Sequence, residues 1–216
     1  PTSDITVCAS GCNYTTITSA VSNSDLADKI FVTDNRTYNE DVLLDSGTAY
    51  WIECKSKATI SGTGETYGVR FKDFINELPV VVGCNIKNFD FGVWVNSSDA
   101  LIQNNTIENC DTGIYFRKQI SGSKIKENNI TGSTLEGIQF YASAWSDSAI
   151  GNTVERNIIK NSGTKGFYMI YGGNPVNVIK NNNISGSTDA GDYGIHLNAN
   201  GNTVSSEIDD NFIYEN

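Results

Sequence analysis

The sequence of 216 residues predicts an all-β fold, a parallel β-helix solenoid with a short N-terminal capping helix, and three observations carry that prediction. A phrase of the form Val/Ile-x-x-Asn-x-Ile is written six times, at residues 81–86, 102–107, 125–130, 154–159, 179–184 and 208–213. A second phrase, Gly followed by alternating apolar residues, comes after each of the first five copies and begins at Gly92, Gly113, Gly137, Gly166 and Gly194, with an earlier instance at Gly68. The fourth slot of the first phrase falls at 84, 105, 128, 157, 182 and 211, so the repeat is 21 to 29 residues long. A unit of that length cannot bury its own apolar side and must stack on its neighbours. The apolar residues alternate with polar ones over three or four positions, which is the period of a strand. Unequal steps place insertions in turns while the strand phrases keep register.

The recurrent Asn has a physical reason. The slot is Asn in five copies and Cys84 in the first. At the ~4.8 Å spacing of strands in a sheet, identical Asn side chains hydrogen-bond in a ladder and satisfy turn backbone groups. The Gly of the second phrase is expected to allow a positive φ or a tight bend.

Taken in order, residues 5–7 read as a first strand and residues 14–26 as an amphipathic helix with Ile17, Val21 and Leu26 on one side, covering the open first coil. Strands follow at 29–33, 41–45, 50–54 and 58–62. The expected organisation is a single domain over 1–216, with 1–28 as strand and cap helix and 29–214 as coils. Insertions interrupt the coils at 72–79, 141–148 and 171–175. The last phrase is followed only by Tyr214, Glu215 and Asn216. An uncapped coil carrying Ile208, Phe212, Ile213 and Tyr214 is therefore expected, either covered by another chain or marking a truncation.

Over roughly residues 29–214 these phrases resemble the right-handed parallel β-helix repeat proteins, the broad group of pectate-lyase-like and NosD-like domains. The resemblance, with the right-handed bias of parallel crossovers, implies right-handed coils. That architecture hosts lyases, hydrolases, epimerases, adhesins and scaffolds, so function must be argued from a site. Its polysaccharide lyases pair a calcium held by clustered Asp with an Arg or Lys base. Arg117 and Lys118 are available here, but no Asp column lies beside them. The paired-Asp and Gly-His-Gly motifs of polygalacturonase-like members are absent, and only residues 72–75 are similar to a pectin-methylesterase segment.

Composition excludes some classes. The chain has 25 acidic and 15 basic residues and a formal charge of −10, which argues against nucleic acid and anionic membranes as partners. No apolar run approaches the ~18 residues of a membrane-crossing helix. A start at Pro1 is expected of a chain whose leader was removed or trimmed. Six sequons, at Asn13, Asn35, Asn96, Asn104, Asn129 and Asn183, lead us to expect an exported, glycosylated, secreted or surface protein. With five cysteines, Cys8 and Cys12 can close a small loop, and Cys54 can bridge to Cys84 on the next coil or both can be buried thiols. Cys110 is left over. No cofactor is implied, with calcium in acidic turns such as Asp189 and Asp192 the one exception left open.

Strand alternation turns Arg70, Trp94, Tyr115, Gln139, Tyr168 and His196 outward in one row, and Lys72, Asn96, Arg117, Tyr141, Ile170 and Asn198 in the next. Rings beside Arg70 and Arg117 are fitted to stack on sugars, to form a protein interface, or simply reflect β-propensity. Glycoside hydrolysis needs two facing carboxylates, whereas Asp209 and Asp210 are consecutive. His196 is the only histidine, expected to be an ordinary exposed residue. The function expected from these features is a non-catalytic structural or adhesive surface protein. Its sharpest form is a filament subunit, self-associating with the C-terminal coil docked head-to-tail on residues 5–33 of the next copy. A carbohydrate-binding face is one alternative, and a lyase or hydrolase of acidic glycans is the other.

Overall fold

The computed structural model describes residues 4–72, 78–117, 120–141, 149–170, 176–187, 193–198 and 205–214. Most of the three insertions, with Lys118, Asp189 and Asp192, lie outside the described residues. The chain coils as a parallel β-helix with three sheets. Sheet I runs from Asp4–Val7 to Glu207–Asp209, sheet II from Thr37–Tyr38 to Phe212–Tyr214, and sheet III from Val42–Asp45 to Tyr193–Asn198. Each coil pairs phrase to phrase: Ile102 sits on Ile125 in sheet I, and Ile107 on Ile130 in sheet II.

That register builds the core. Ile52, Val81, Ile102, Ile125, Val154 and Ile179 form a buried column in sheet I, faced by Ile60, Ile86, Ile107, Ile130, Ile159 and Ile184 from sheet II. Phe116, Phe140 and Phe167 meet edge-on inside sheet III with centroids 4.8 and 5.4 Å apart. Burying one such Ile or Phe contributes about 2 kcal/mol, and each must be covered by the coil on either side.

The corners explain the Asn. At the sheet I to sheet II corner one residue per coil takes a left-handed conformation: Lys57, Gly83, Asn104, Glu127, Arg156, Asn181 and Asp210, with φ from 49° to 74°. The next residue is the ladder position. Asn105, Asn128, Asn157, Asn182 and Asn211 are joined by Nδ2-to-Oδ1 bonds of 3.1, 3.0, 3.0 and 2.8 Å. Each Oδ1 also accepts the backbone N–H of the coil before it, starting at Cys84, and each Nδ2 reaches a carbonyl of that coil. The ladder satisfies backbone groups that a left-handed corner takes out of the sheet. A second ladder, on the edge where the chain enters sheet I, runs through Ser123, Asn152, Asn177 and Ser206.

The phrase-two glycines do not take positive φ; that expectation is corrected. Their need is room. A Cβ on Gly137 would lie 2.3 Å from Ile159 Cγ2 and 2.7 Å from the Gly166 carbonyl. The helix is also shorter than expected: Ile17–Ser22, with Thr16 as N-cap and Leu26 exposed rather than packed. Ile17, Ala20 and Val21 are buried, so the helix does cover the first coil. The Glu40 carboxylate takes the N–H groups of Ile17 and Thr18 at 3.3 and 2.7 Å, pinning the helix start to the coil below.

Candidate functional site

Sheet III carries the outward rows anticipated from strand alternation, together with a third row that the sequence reading did not include. The residue before each glycine also faces outward: Tyr67, Phe91, Thr112, Glu136, Lys165 and Tyr193. The available signal was its fixed place before the glycine. All three rows lie on the same strands and form one surface.

Its rings pack on one another. Tyr67 stacks on Phe91 at 5.7 Å, Phe91 meets Tyr115 at 4.9 Å, and Tyr115 stacks near Tyr141 at 6.4 Å. Tyr168 and Tyr193 enclose the His196 ring at 5.1 and 4.8 Å, so His196 is half-buried rather than an ordinary exposed residue. Trp94 corrects the expectation of an open platform. It alternates outward with Arg70 and Tyr115, yet it is only 8 % exposed. Tyr67 lies edge-on to its ring at 5.7 Å, and a side chain of that size is covered by its neighbours in the row. The accessible rings are Tyr141 and Tyr193, with Tyr168 half-buried between them and Tyr115 half-buried on the other side of Tyr141.

Charge is concentrated here. From Tyr67–Lys72 to Tyr193–Asn198 the outward positions hold Arg70, Lys72, Arg117 and Lys165 against a single carboxyl, Glu136. Lys72 is 3.6 Å from Asp45 on the adjoining strand. Arg70 lies over Tyr67 and Lys165 over Tyr168, each 4.7 Å from the ring centroid. Glu136 is 8 % exposed, stands opposite Lys165 in the ladder, and accepts a hydrogen bond from Thr164 Oγ1 at 3.3 Å. Burial raises the pKa of its carboxyl, against the pull of Lys165 and the hydroxyls of Thr164 and Thr112. Burial likewise raises the phenols of Tyr115 and Tyr168, both helped by Glu136. It lowers His196, as does Lys165.

The other candidates are dispersed. Asn13, Asn35, Asn104 and Asn129 are exposed, while Asn96 and Asn183 are half-buried, and Asn183 Oδ1 is enclosed with no hydrogen-bond partner. Disulfides join Cys8 to Cys12 and Cys54 to Cys84, leaving Cys110 buried with a free thiol. Among the described residues no group of three His, Cys, Asp or Glu could hold a metal ion. No helix of the described residues is long and apolar enough to cross a membrane. At the C-terminal coil Ile208, Phe212 and Ile213 are 49, 64 and 44 % exposed and Tyr214 is half-buried. At the opposite end the helix covers the first coil, and Tyr14 hydrogen-bonds along the edge of the first strand at Thr6 and Cys8.

Comparison with known proteins agrees with this architecture. The chain is similar to the alginate lyase of a Paenibacillus strain, at 16 % identity and a TM-score of 0.57, covering 99 % of this chain and 98 % of that one. It is similar to the pectin methylesterase of Aspergillus niger at 13 % identity and a TM-score of 0.50, covering 99 % and 86 %. No curated protein sequence matches it. The family model described as "Right handed beta helix region" matches residues 56–213, most of the coils, and the chain belongs to that family.

Proposed function

We propose that the protein binds an acidic polysaccharide along the outward face of sheet III. The observation that carries this reading is the charge and ring content of that face: four cations against two carboxyls, Glu136 and the Asp45 beside Lys72, interleaved with Tyr115, Tyr141, Tyr168 and Tyr193, on a chain of formal charge −10. Aromatic faces stack on sugar rings, and Arg and Lys pair with their carboxylates. The two solved structures similar in fold, named for alginate and for pectin, support the same direction. The disulfides support an oxidising compartment and hence a secreted or surface-borne protein. The test is binding of the intact chain to a uronic-acid oligosaccharide. Tyr115→Ala together with Tyr168→Ala is expected to weaken it at least about tenfold, on the scale of one ring stack per sugar. Unchanged affinity in that pair would remove the face from consideration.

A second reading, cleavage of the bound chain, is supported by Glu136. A lone buried carboxyl does not supply the facing pair that glycoside hydrolysis uses. It is compatible with elimination, in which a base removes the proton beside a uronate carboxylate, the glycosidic C–O bond on the next carbon breaks as a C=C bond forms, and the expelled oxygen takes a proton from water, while Arg117 or Lys165 balances the developing charge. Arg117→Ala is then expected to abolish the ultraviolet signal of unsaturated product. Absence of that signal from the unaltered protein across a panel of acidic glycans would leave binding as the function.

A further inference from the structure

Glu136 stands out within this surface for a reason unconnected with structure-building. On the strands of sheet III the other described carboxylate is Asp45, at the first strand, while Asp90 and Asp111 stand in the turns just before Phe91 and Thr112. Glu136 lies mid-face, between the rungs of Thr112 and Lys165, and is almost closed to solvent. Its neighbours are Lys165, Thr164 and Tyr168 on one side and Thr112 and Tyr115 on the other, with His196 one strand beyond and Arg117 and Tyr141 at the far end of the adjoining rungs. Thr164 donates to its Oε1. A carboxylate in that place opposes the positive charge with which the face attracts an acidic ligand.

We infer that Glu136 sets the charge preference of this face: as a carboxylate it neutralises Lys165 and repels the acid groups of a glycan, and as a carboxylic acid it leaves Lys165 to them and donates a hydrogen bond of its own. The inference rests on the binding reading above. The direction of its proton affinity fits, because burial raises the carboxyl and protonation therefore occurs at a milder pH than for an exposed Glu. His196 titrates in the same direction, gaining charge as pH falls, although burial and Lys165 hold its pKa low. The two contributions are separable by mutation.

The experiment is calorimetric titration of the intact chain with a uronic-acid tetrasaccharide and with its neutral hexose counterpart, between about pH 4 and pH 8, a span bracketing Glu and His. Affinity for the acidic ligand is expected to rise roughly threefold to tenfold as pH falls, the scale of one charge contact in a solvent-screened site, and affinity for the neutral one to stay flat. Glu136→Gln is expected to bind the acidic ligand at neutral pH as tightly as the unaltered protein does at acid pH. Any residual slope in that variant belongs to His196 and disappears in the double variant with His196→Asn. Lys165→Met is expected to weaken acidic binding and flatten its profile. A Glu136→Gln variant that keeps the parental pH curve overturns the inference while leaving glycan binding intact. So does NMR titration of the ligand-free chain that places the Glu136 carboxyl in the ordinary Glu range. Absence of binding to either sugar by the unaltered protein removes both readings together.

Discussion

The sheet I to sheet II corner and the outward face of sheet III are made by the same repeat, coil after coil, yet they treat the side chain in opposite ways. At the corner one residue type recurs, Asn105, Asn128, Asn157, Asn182 and Asn211, and each hydrogen-bonds the next. On the face no column repeats: Thr112, Glu136 and Lys165 succeed one another, as do Tyr115, Gln139 and Tyr168. The corner must solve the same problem in every coil, because a left-handed residue removes backbone groups from the ladder of each. The face has no such obligation. Identity along the stack therefore marks structural necessity, and variety marks where the scaffold is free to carry chemistry.

The largest expected effect breaks the corner. Asn157→Ala removes the acceptor of Asn128 N–H and Nδ2 and the donor to the Ile125 carbonyl, all buried. Leaving those groups unpaired is expected to cost about 4 kcal/mol, read as a lower urea midpoint. Asn211→Ala, at the half-buried last rung, is expected to cost about 1 kcal/mol. Equal losses at the two positions would show that the rungs act independently of their depth in the stack.

This asymmetry also explains what could be read from the residues alone. The Asn ladder and the Ile columns were legible because a stacked repeat writes identical residues at identical places. The left-handed corner was not, since Lys57, Glu127 and Arg156 occupy it beside Asn and Asp and carry no residue-type signature of positive φ. Glycine suggested a turn where the need was the absence of a Cβ against the next coil. Trp94 shows the limit of alternation, which gives the side of the strand but not what lies over it. Glu136 was passed over because its row falls one residue outside the repeated phrase.

A smaller effect sharpens the contrast within the face itself. Trp94→Ala is expected to cost about 3 kcal/mol, as for other large buried side chains, whereas Tyr141→Ala, more than a third exposed, stays within about 0.5 kcal/mol. Thermal melts of the two variants separate them. A Trp94→Ala protein as stable as its parent would return that ring to the accessible surface.

The smallest effect is the most specific. Because burial raises the Glu136 carboxyl, the folded chain holds its proton at pH values where the unfolded chain has released it. The stability linked to this group is therefore greatest at and below the ordinary Glu range, about pH 4.3. It falls as pH rises through the folded value and stays low above it. Glu136→Gln keeps the shape and removes the ionisation, so the variant should match its parent in acid and exceed it at neutral pH, with the gap opening between those limits. The corner has no ionisable ladder residue, and Asn157→Ala should show a loss that does not change over the same range. Denaturant midpoints of both variants measured side by side across that range test the difference: a parallel offset for Asn157→Ala and a widening one for Glu136→Gln distinguish a structural rung from a residue whose charge the fold holds back.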